Sequence, residues 1–136
     1  AALGLSQLQK LDAIIAERNK QFQTYRDLLS QLPLKLLVVP EDVLSSLHLA
    51  VIRLVDPNAE HHCRVFKGLR SAFIGVQLHY SPVHLQPYYR RLGFSEGDFP
   101  KAEAYATNAI SLPLYPGLQE DEQQRVVRTL ASLLTA

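Results

Sequence analysis

Apolar side chains recur at three- and four-residue steps through the first 32 residues, and Pro33 follows them. Charged and amide residues fill the gaps, which is the pattern of an amphipathic helix with a broad apolar stripe. Proline disfavours helical geometry in the residue before it, so we predict one long helix over 1–32. The stripe is wider than a small sheet requires, and we expect part of it to face a segment that this chain does not contain. Its members are Leu3, Leu5, Leu8, Leu11, Ile14, Ile15, Phe22, Tyr25, Leu28, Leu29 and Leu32.

The remaining residues, 33–136, alternate between short apolar runs and further amphipathic segments. Strands are predicted over 34–39, 48–55, 76–80 and 110–115, with Asp56-Pro57-Asn58 as the turn after the second. Helices are predicted over 59–73 with Gly75 as a stop, 88–92, 100–108 with Asp98 as N-cap, and from 120 onward. This order indicates an α+β fold, in which a small sheet is covered by helices.

Composition excludes several classes of protein. Apolar residues make up 47% and charged residues 20% of the chain, which is a globular composition. Fourteen basic residues face thirteen acidic ones, so no excess charge is available to hold a nucleic acid. A single cysteine excludes an internal disulfide, and no apolar run approaches the ~20 residues of a membrane helix.

The start of the chain has no charged region, cleavage pattern or N-cap residue before its first leucines. It is therefore not a signal peptide, and we expect a cytoplasmic protein. A sequence that opens as if inside a helix predicts a piece of a longer protein.

His61-His62-Cys63 suggests a metal site at first sight. Consecutive helical side chains point about 100° apart, so these three cannot converge on one ion. We therefore predict two surface histidines beside a packed or partly exposed Cys63, with no metal site. A nucleophilic role for Cys63 would require a partner from elsewhere in the fold.

The His/Tyr loop, residues 79–89, is unusual in its composition. It contains two histidines, three tyrosines and two prolines. Prolines stiffen a loop, and histidine and tyrosine can both hydrogen-bond and present a flat face to a sugar or base. These properties suit the wall of a ligand site, although a proline-rich turn with buried tyrosines has the same composition.

The motifs of this chain resemble the C-terminal portion of the DegT/DnrJ-type sugar aminotransferases, fold-type-I enzymes that use pyridoxal phosphate (PLP). Within the family, they are closest to those of the transaminases of pseudaminic acid biosynthesis. The resemblance extends over nearly the whole chain. It rests on residues 1–12, on Ser46 with 48–53, on Gly75-Val76-Gln77-Leu78-His79-Tyr80-Ser81-Pro82-Val83-His84-Leu85-Gln86-Pro87-Tyr88-Tyr89-Arg90, on Gly97-Asp98-Phe99-Pro100-Lys101-Ala102-Glu103, and on Ile110-Ser111-Leu112-Pro113-Leu114-Tyr115-Pro116-Gly117-Leu118.

The resemblance implies a small C-terminal domain with a mainly antiparallel sheet over 33–136. The helix over 1–32 would continue from a helix that leads to a large domain outside this chain. The complete enzyme would be a homodimer that moves an amino group from glutamate to the 4-keto carbon of a nucleotide-linked sugar.

In the family, a lysine and an aspartate that lie upstream hold PLP. No aspartate of this chain has the family's cofactor context, and neither does any of its lysines, Lys10, Lys20, Lys35, Lys67 and Lys101. The resemblance thus implies a chain that is inactive alone, binds no PLP by itself and contains no catalytic residue.

Carried over by position, four residues would line the sugar-nucleotide pocket: His79, Tyr80, Ser81 and His84. Gln86 and Tyr88 would lie behind them. His48 matches a family position near the cleft, although a packed core histidine fits its sequence context equally well.

Two other interpretations stay open at this point. A stand-alone α+β module could use the His/Tyr loop to bind a nucleotide sugar or a peptide. The chain could also self-associate through the exposed stripe of its first helix, because exposed apolar patches favour association.

Overall fold

A computed structural model describes residues 2–55 and 58–135. Asp56 and Pro57, two residues of the predicted turn, lie outside this description, as does Ala1 at the start of the first predicted helix.

The N-terminal stretch forms two helices, α1 (Ala2–Leu8) and α2 (Leu11–Leu29), and the prediction of one continuous helix over 1–32 is wrong in this respect. A turn at residues 9 and 10 separates them, with the Lys10 N–H donating to the Gln7 carbonyl at 3.0 Å. No residue of α1 is buried, so no tertiary packing holds it in line with α2. At the other end, Ser30 N–H and Oγ both donate to the Asp27 carbonyl, which ends α2 before Pro33.

Three antiparallel strands form the sheet in the order β1 (Leu34–Leu36), β2 (Ala50–Leu54) and β3 (Ala109–Leu112). Ile52 of β2 pairs with Leu36 on one side and with Ile110 on the other. Every residue of β3 is buried, and Arg53 is the exposed residue of β2. These strands confirm three of the four predicted runs with shorter bounds, because the apolar runs extend past the paired residues.

The fourth predicted strand, 76–80, is wrong. Gln77 makes one isolated antiparallel bridge to Ser111, with hydrogen bonds of 3.2 and 2.9 Å in the two directions. Toward the N-terminal end of this segment, the next hydrogen-bonded pair would join Gly75 to Pro113. Proline has no N–H to donate, so the pairing does not continue there. In the other direction the chain leaves the sheet and begins the His/Tyr loop.

Two long helices complete the core, α3 (Ala59–Ser71) and α6 (Glu120–Thr135). Asn58 caps α3 by accepting hydrogen bonds from the Glu60 and His61 N–H groups. α6 packs against both α3 and α2. The buried core confirms the α+β fold class, and its largest members are Phe22, Tyr25, Ile52, Leu69, Ile110 and Leu130.

The His61-His62-Cys63 run differs from its prediction at one residue. His62 is buried, with 7% of its surface exposed, and its Nε2 donates to the Ala109 carbonyl at 3.0 Å. It therefore ties α3 to β3. Cys63 is exposed. Across 2–55 and 58–135, no three histidine, cysteine or acidic side chains lie together as metal ligands.

Two short helices come next, α4 (Pro87–Arg91), which begins within the His/Tyr loop, and α5 (Pro100–Ala106). Phe99 is the N-cap of α5, so the prediction of Asp98 in that role is wrong. The Asp98 carboxylate instead accepts the Ser95 N–H at 2.8 Å, which closes the turn before the helix.

None of the helices in the described part of the chain combines the length and apolarity required to cross a membrane.

Candidate functional site

The His/Tyr loop is ordered by short-range hydrogen bonds. A single 3₁₀ turn, Val83–Leu85, lies at its centre. The Leu85 N–H donates to the Pro82 carbonyl, and the Gln86 N–H donates to the Val83 carbonyl, both at 3.0 Å. α4 begins directly afterwards at Pro87, whose missing N–H costs nothing at the first position of a helix.

The first half of the loop lines a small cavity of about 130 Å³, which we call the loop cavity. His79, Tyr80 and Ser81 form one wall, and Ala106 and Thr107 at the end of α5 form the facing wall. The Tyr80 ring meets the His79 ring edge-on, with their centroids 4.6 Å apart. Tyr80 is 73% exposed, so its hydroxyl is available to a ligand.

Ser111 holds the His79 ring in place. His79 Nδ1 and Ser111 Oγ share a hydrogen bond of 2.8 Å. Ser111 is buried in β3 between two apolar residues, where a hydroxyl requires a partner. Because Nδ1 is engaged in this way, Nε2 is the ring nitrogen with which His79 can bind a ligand.

His84 lies at a second cavity, of about 350 Å³, which we call the aromatic cavity. Its Nε2 donates to Glu103 Oε1 at 2.7 Å, and its ring centroid lies 4.8 Å from that of Phe99. His84 is only 7% exposed. The cavity lining is Val83, His84, Tyr89, Phe94, Phe99 and Ala102.

Glu103 accepts hydrogen bonds from three directions. Besides His84, the N–H groups of Gly97 and Phe99 donate to its carboxylate, at 2.9 and 3.4 Å to Oε1. Partial burial raises the pKa of this carboxyl group, but the hydrogen bonds from His84, Gly97 and Phe99 outweigh it and leave the pKa below its usual value. Glu103 is therefore a carboxylate at neutral pH.

Gln86 and Tyr88 lie outside both cavities. Gln86 is exposed, and Tyr88 is 60% exposed with its ring edge-on to that of Tyr89. The structure thus brings together His79, Tyr80 and Ser81. The other three predicted residues lie apart from them.

His48 is exposed and precedes β2, so the interpretation as a packed core histidine is wrong.

Sequence reasoning missed Ser111 and Glu103 as partners of the two loop histidines. A serine inside an otherwise apolar strand was the signal available for Ser111. Glu103 lies 19 residues from His84, and no local pattern connects the two.

The described residues do not fit PLP as a complete site. PLP chemistry requires a lysine that forms an imine with the cofactor and an acidic partner for its ring nitrogen. All five lysines are exposed. Lys20 and Lys67 each line a surface cavity, in which the acidic residues are glutamates and no aspartate is present.

Comparisons with known proteins agree on one group. SpsC of Bacillus subtilis (strain 168), a spore coat polysaccharide biosynthesis protein, is 33% identical over 138 residues, which cover 98% of this chain and 36% of SpsC. Spr1654 of Streptococcus pneumoniae, assigned as a sugar aminotransferase, superposes in its PLP form with a TM-score of 0.92 at 29% identity. That match covers 98% of this chain and 34% of Spr1654.

Helicobacter pylori PseC, an aminotransferase involved in the biosynthesis of pseudoaminic acid, superposes with a TM-score of 0.89 at 26% identity, over 98% of this chain and 36% of PseC. This chain therefore spans about a third of the length of these relatives. The sequence profile of one family matches residues 1–131. The chain belongs to the DegT/DnrJ/EryC1/StrS aminotransferase family.

Proposed function

We propose that this chain is the small C-terminal domain of a cytoplasmic, PLP-dependent sugar aminotransferase, with 1–32 leading to a large domain. The complete enzyme would move an amino group from glutamate to the 4-keto group of a nucleotide-linked sugar. The motif resemblance favours UDP-4-amino-4,6-dideoxy-N-acetyl-β-L-altrosamine as its product. The observation that carries the proposal is the close superposition of almost the whole chain on one third of Spr1654 in its PLP form.

Within this proposal, the six loop residues divide into two groups. His79, Tyr80 and Ser81 form the wall that meets the sugar nucleotide, through His79 Nε2 and the Tyr80 and Ser81 hydroxyls. His84, Gln86 and Tyr88 support the loop from behind. These are binding and orienting roles, and the residues that hold PLP belong to the part of the enzyme outside this chain.

The size of the loop cavity favours a partial pocket over a stand-alone binding module. Ligand pockets usually enclose about 300–1,000 Å³. The loop cavity has about 130 Å³, which is too little for a nucleotide sugar. The rest of a nucleotide-sugar pocket would then come from a segment outside this chain or from another subunit, as a homodimeric enzyme of two domains would supply.

The first test asks whether the chain holds PLP by itself. The purified chain is incubated with PLP, treated with borohydride and analysed by mass spectrometry. We expect low, non-saturable labelling spread over the exposed lysines. Saturable attachment to one lysine, together with transfer of an amino group from glutamate, would show that the chain contains a complete site and contradict the proposal.

The second test asks where a nucleotide sugar meets the chain. Weak binding of UDP-N-acetylglucosamine, followed by NMR, is expected to perturb His79, Tyr80 and Ser81, and Tyr80→Phe should weaken it. Tyr115→Phe is the matched control, because Tyr115 lies beyond β3 and outside the lining of the loop cavity. Tight binding by this chain alone would favour the stand-alone module.

A further inference from the structure

We propose that His84 and Glu103 form a clasp that sets the separation between the two walls of the loop cavity, and that neither side chain contacts the substrate. This inference rests on the proposed function, because it concerns the wall that meets the sugar nucleotide. It assigns Glu103 as a positioning residue and specifies how His84 supports the loop.

The first support is the bond itself. The atoms His84 Nε2 and Glu103 Oε1 are 2.7 Å apart, and the two side chains are 7% and 18% exposed. A hydrogen bond to a carboxylate is stronger than a neutral one, and partial exclusion of water strengthens it further. His84 lines the aromatic cavity, whereas Tyr80 and Ser81 line the loop cavity.

The second support is that Glu103 is itself immobilised. The Gly97 N–H lies 2.9 and 3.0 Å from its two carboxylate oxygens. The Phe99 N–H lies 3.4 Å from Oε1 and anchors the carboxylate to the first turn of α5. His84 is therefore attached to a fixed acceptor, and packing against the Phe99 ring restricts it further.

The third support is that the pair connects the two elements whose residues line the loop cavity. His84 is two residues beyond Pro82, which lines the loop cavity together with His79, Tyr80 and Ser81. Glu103 lies on α5, whose C-terminal end supplies Ala106 and Thr107 to the facing wall. One hydrogen bond thus joins the element that carries one wall to the element that carries the other.

The test compares four forms of the chain: Glu103→Ala, His84→Phe, the double variant, and Glu96→Ala as the matched control. Phenylalanine keeps a ring against Phe99 and removes the donor, and alanine favours the helix at 103. Glu96 is exposed and lies outside both cavities. The readouts are amide hydrogen exchange across 79–86 and the Kd for UDP-N-acetylglucosamine, both followed by NMR.

A clasp predicts that each single variant speeds exchange in 79–86 by about tenfold, the effect of losing one charged hydrogen bond. Exchange in β2 and β3 should be unchanged, which a general loss of stability would not allow. The Kd should rise by a similar factor in both single variants and no further in the double variant, because both remove the same contact. Glu96→Ala should leave both quantities unchanged.

Two results would overturn the clasp. If His84→Phe weakens binding and Glu103→Ala does not, His84 contacts the ligand directly. If exchange in 79–86 is unchanged in both single variants, the pair does not hold the loop. Should Glu103→Ala fail to fold, His84→Gln, which keeps a donor, must restore the exchange rates that His84→Phe loses. Absence of UDP-N-acetylglucosamine binding in every form would contradict the proposed function, and the exchange rates would still decide the clasp.

Discussion

Phe73 is held in a conformation that suits glycine. Its N–H donates to the Arg70 carbonyl and the Ile74 N–H donates to the Leu69 carbonyl, both at 3.0 Å, which is the Schellman ending of α3. The φ angle of Phe73 is +57°, in the left-handed region. Its side chain is 91% exposed, so packing within this chain does not compensate for the strain.

We therefore expect Phe73→Gly to raise the free energy of unfolding by about 1 kcal/mol, by relieving left-handed strain. Phe73→Ala is the matched control, because it removes the same ring and keeps the β-carbon. Urea denaturation of the three proteins gives the comparison. Equal stability of the glycine and alanine variants would contradict the strain.

The α3–α6 contact depends on a glycine. A β-carbon added at Gly68 would lie 2.5 Å from Leu133 Cδ2 on α6, and Leu69 of α3 is fully buried beside this position. A glycine in the middle of a helix lowers stability, so the close approach of the two helices explains its presence.

A double-mutant cycle separates these two effects. In a Leu133→Ala background, Gly68→Ala should stabilise the chain by about 1 kcal/mol, because alanine is the better helix former. With Leu133 present, the steric conflict should cancel or reverse that gain. Urea denaturation of all four forms measures the coupling, and additivity within about 0.3 kcal/mol would mean that the helices do not meet at Gly68.

Elements with strong periodicity were predictable from the sequence, and those set by tertiary contacts were not. The stripe of α6 and the apolar runs of β2 and β3 correctly indicated their structures. The failure at 76–80 has a different cause, since the pairing of Gln77 ends where Pro113, directly after β3, lacks a donor. The turn between α1 and α2 likewise reflects the absence of packing, which hydrophobic periodicity does not report.

In the candidate site too, residues that are close in sequence were predictable, and residues brought together by tertiary contacts were not. His79, Tyr80 and Ser81 share a cavity because they are neighbours in sequence, and they were predicted from the family resemblance. Glu103 and Ser111 approach the loop histidines only through the fold, across 19 and 32 residues. The sequence therefore pointed to the residues that line the loop cavity and missed the two side chains that hydrogen-bond to the loop histidines.

At the scale of the whole molecule, exposed leucines recur through the N-terminal helices. Leu3, Leu5 and Leu8 of α1 are 63–76% exposed, and Leu11 at the start of α2 is 42% exposed. We propose that the isolated chain self-associates through this stripe, since water-exposed apolar patches favour association.

Sedimentation velocity should show a weight-average mass that rises with concentration, and the double variant Leu5→Gln/Leu8→Gln should remain monomeric. Leu44→Gln is the matched control, because Leu44 is 82% exposed and lies in the segment between β1 and β2. A concentration-independent monomer for the unmodified chain would contradict self-association.

Two long-range hydrogen bonds join α2 to residues 118–123, at and just before the start of α6. The Gln123 side-chain amide donates to the Gln21 carbonyl at 2.8 Å, and the Gln21 amide donates to the Leu118 carbonyl at 3.2 Å. These links join positions 102 and 97 residues apart. During synthesis on the ribosome, α2 cannot pack against α6 until α6 has left the exit tunnel. Phe22 and Tyr25 therefore stay uncovered until then. This part of the core can close only after residues 118–123 have been synthesised, and until then its apolar side chains are open to misassociation.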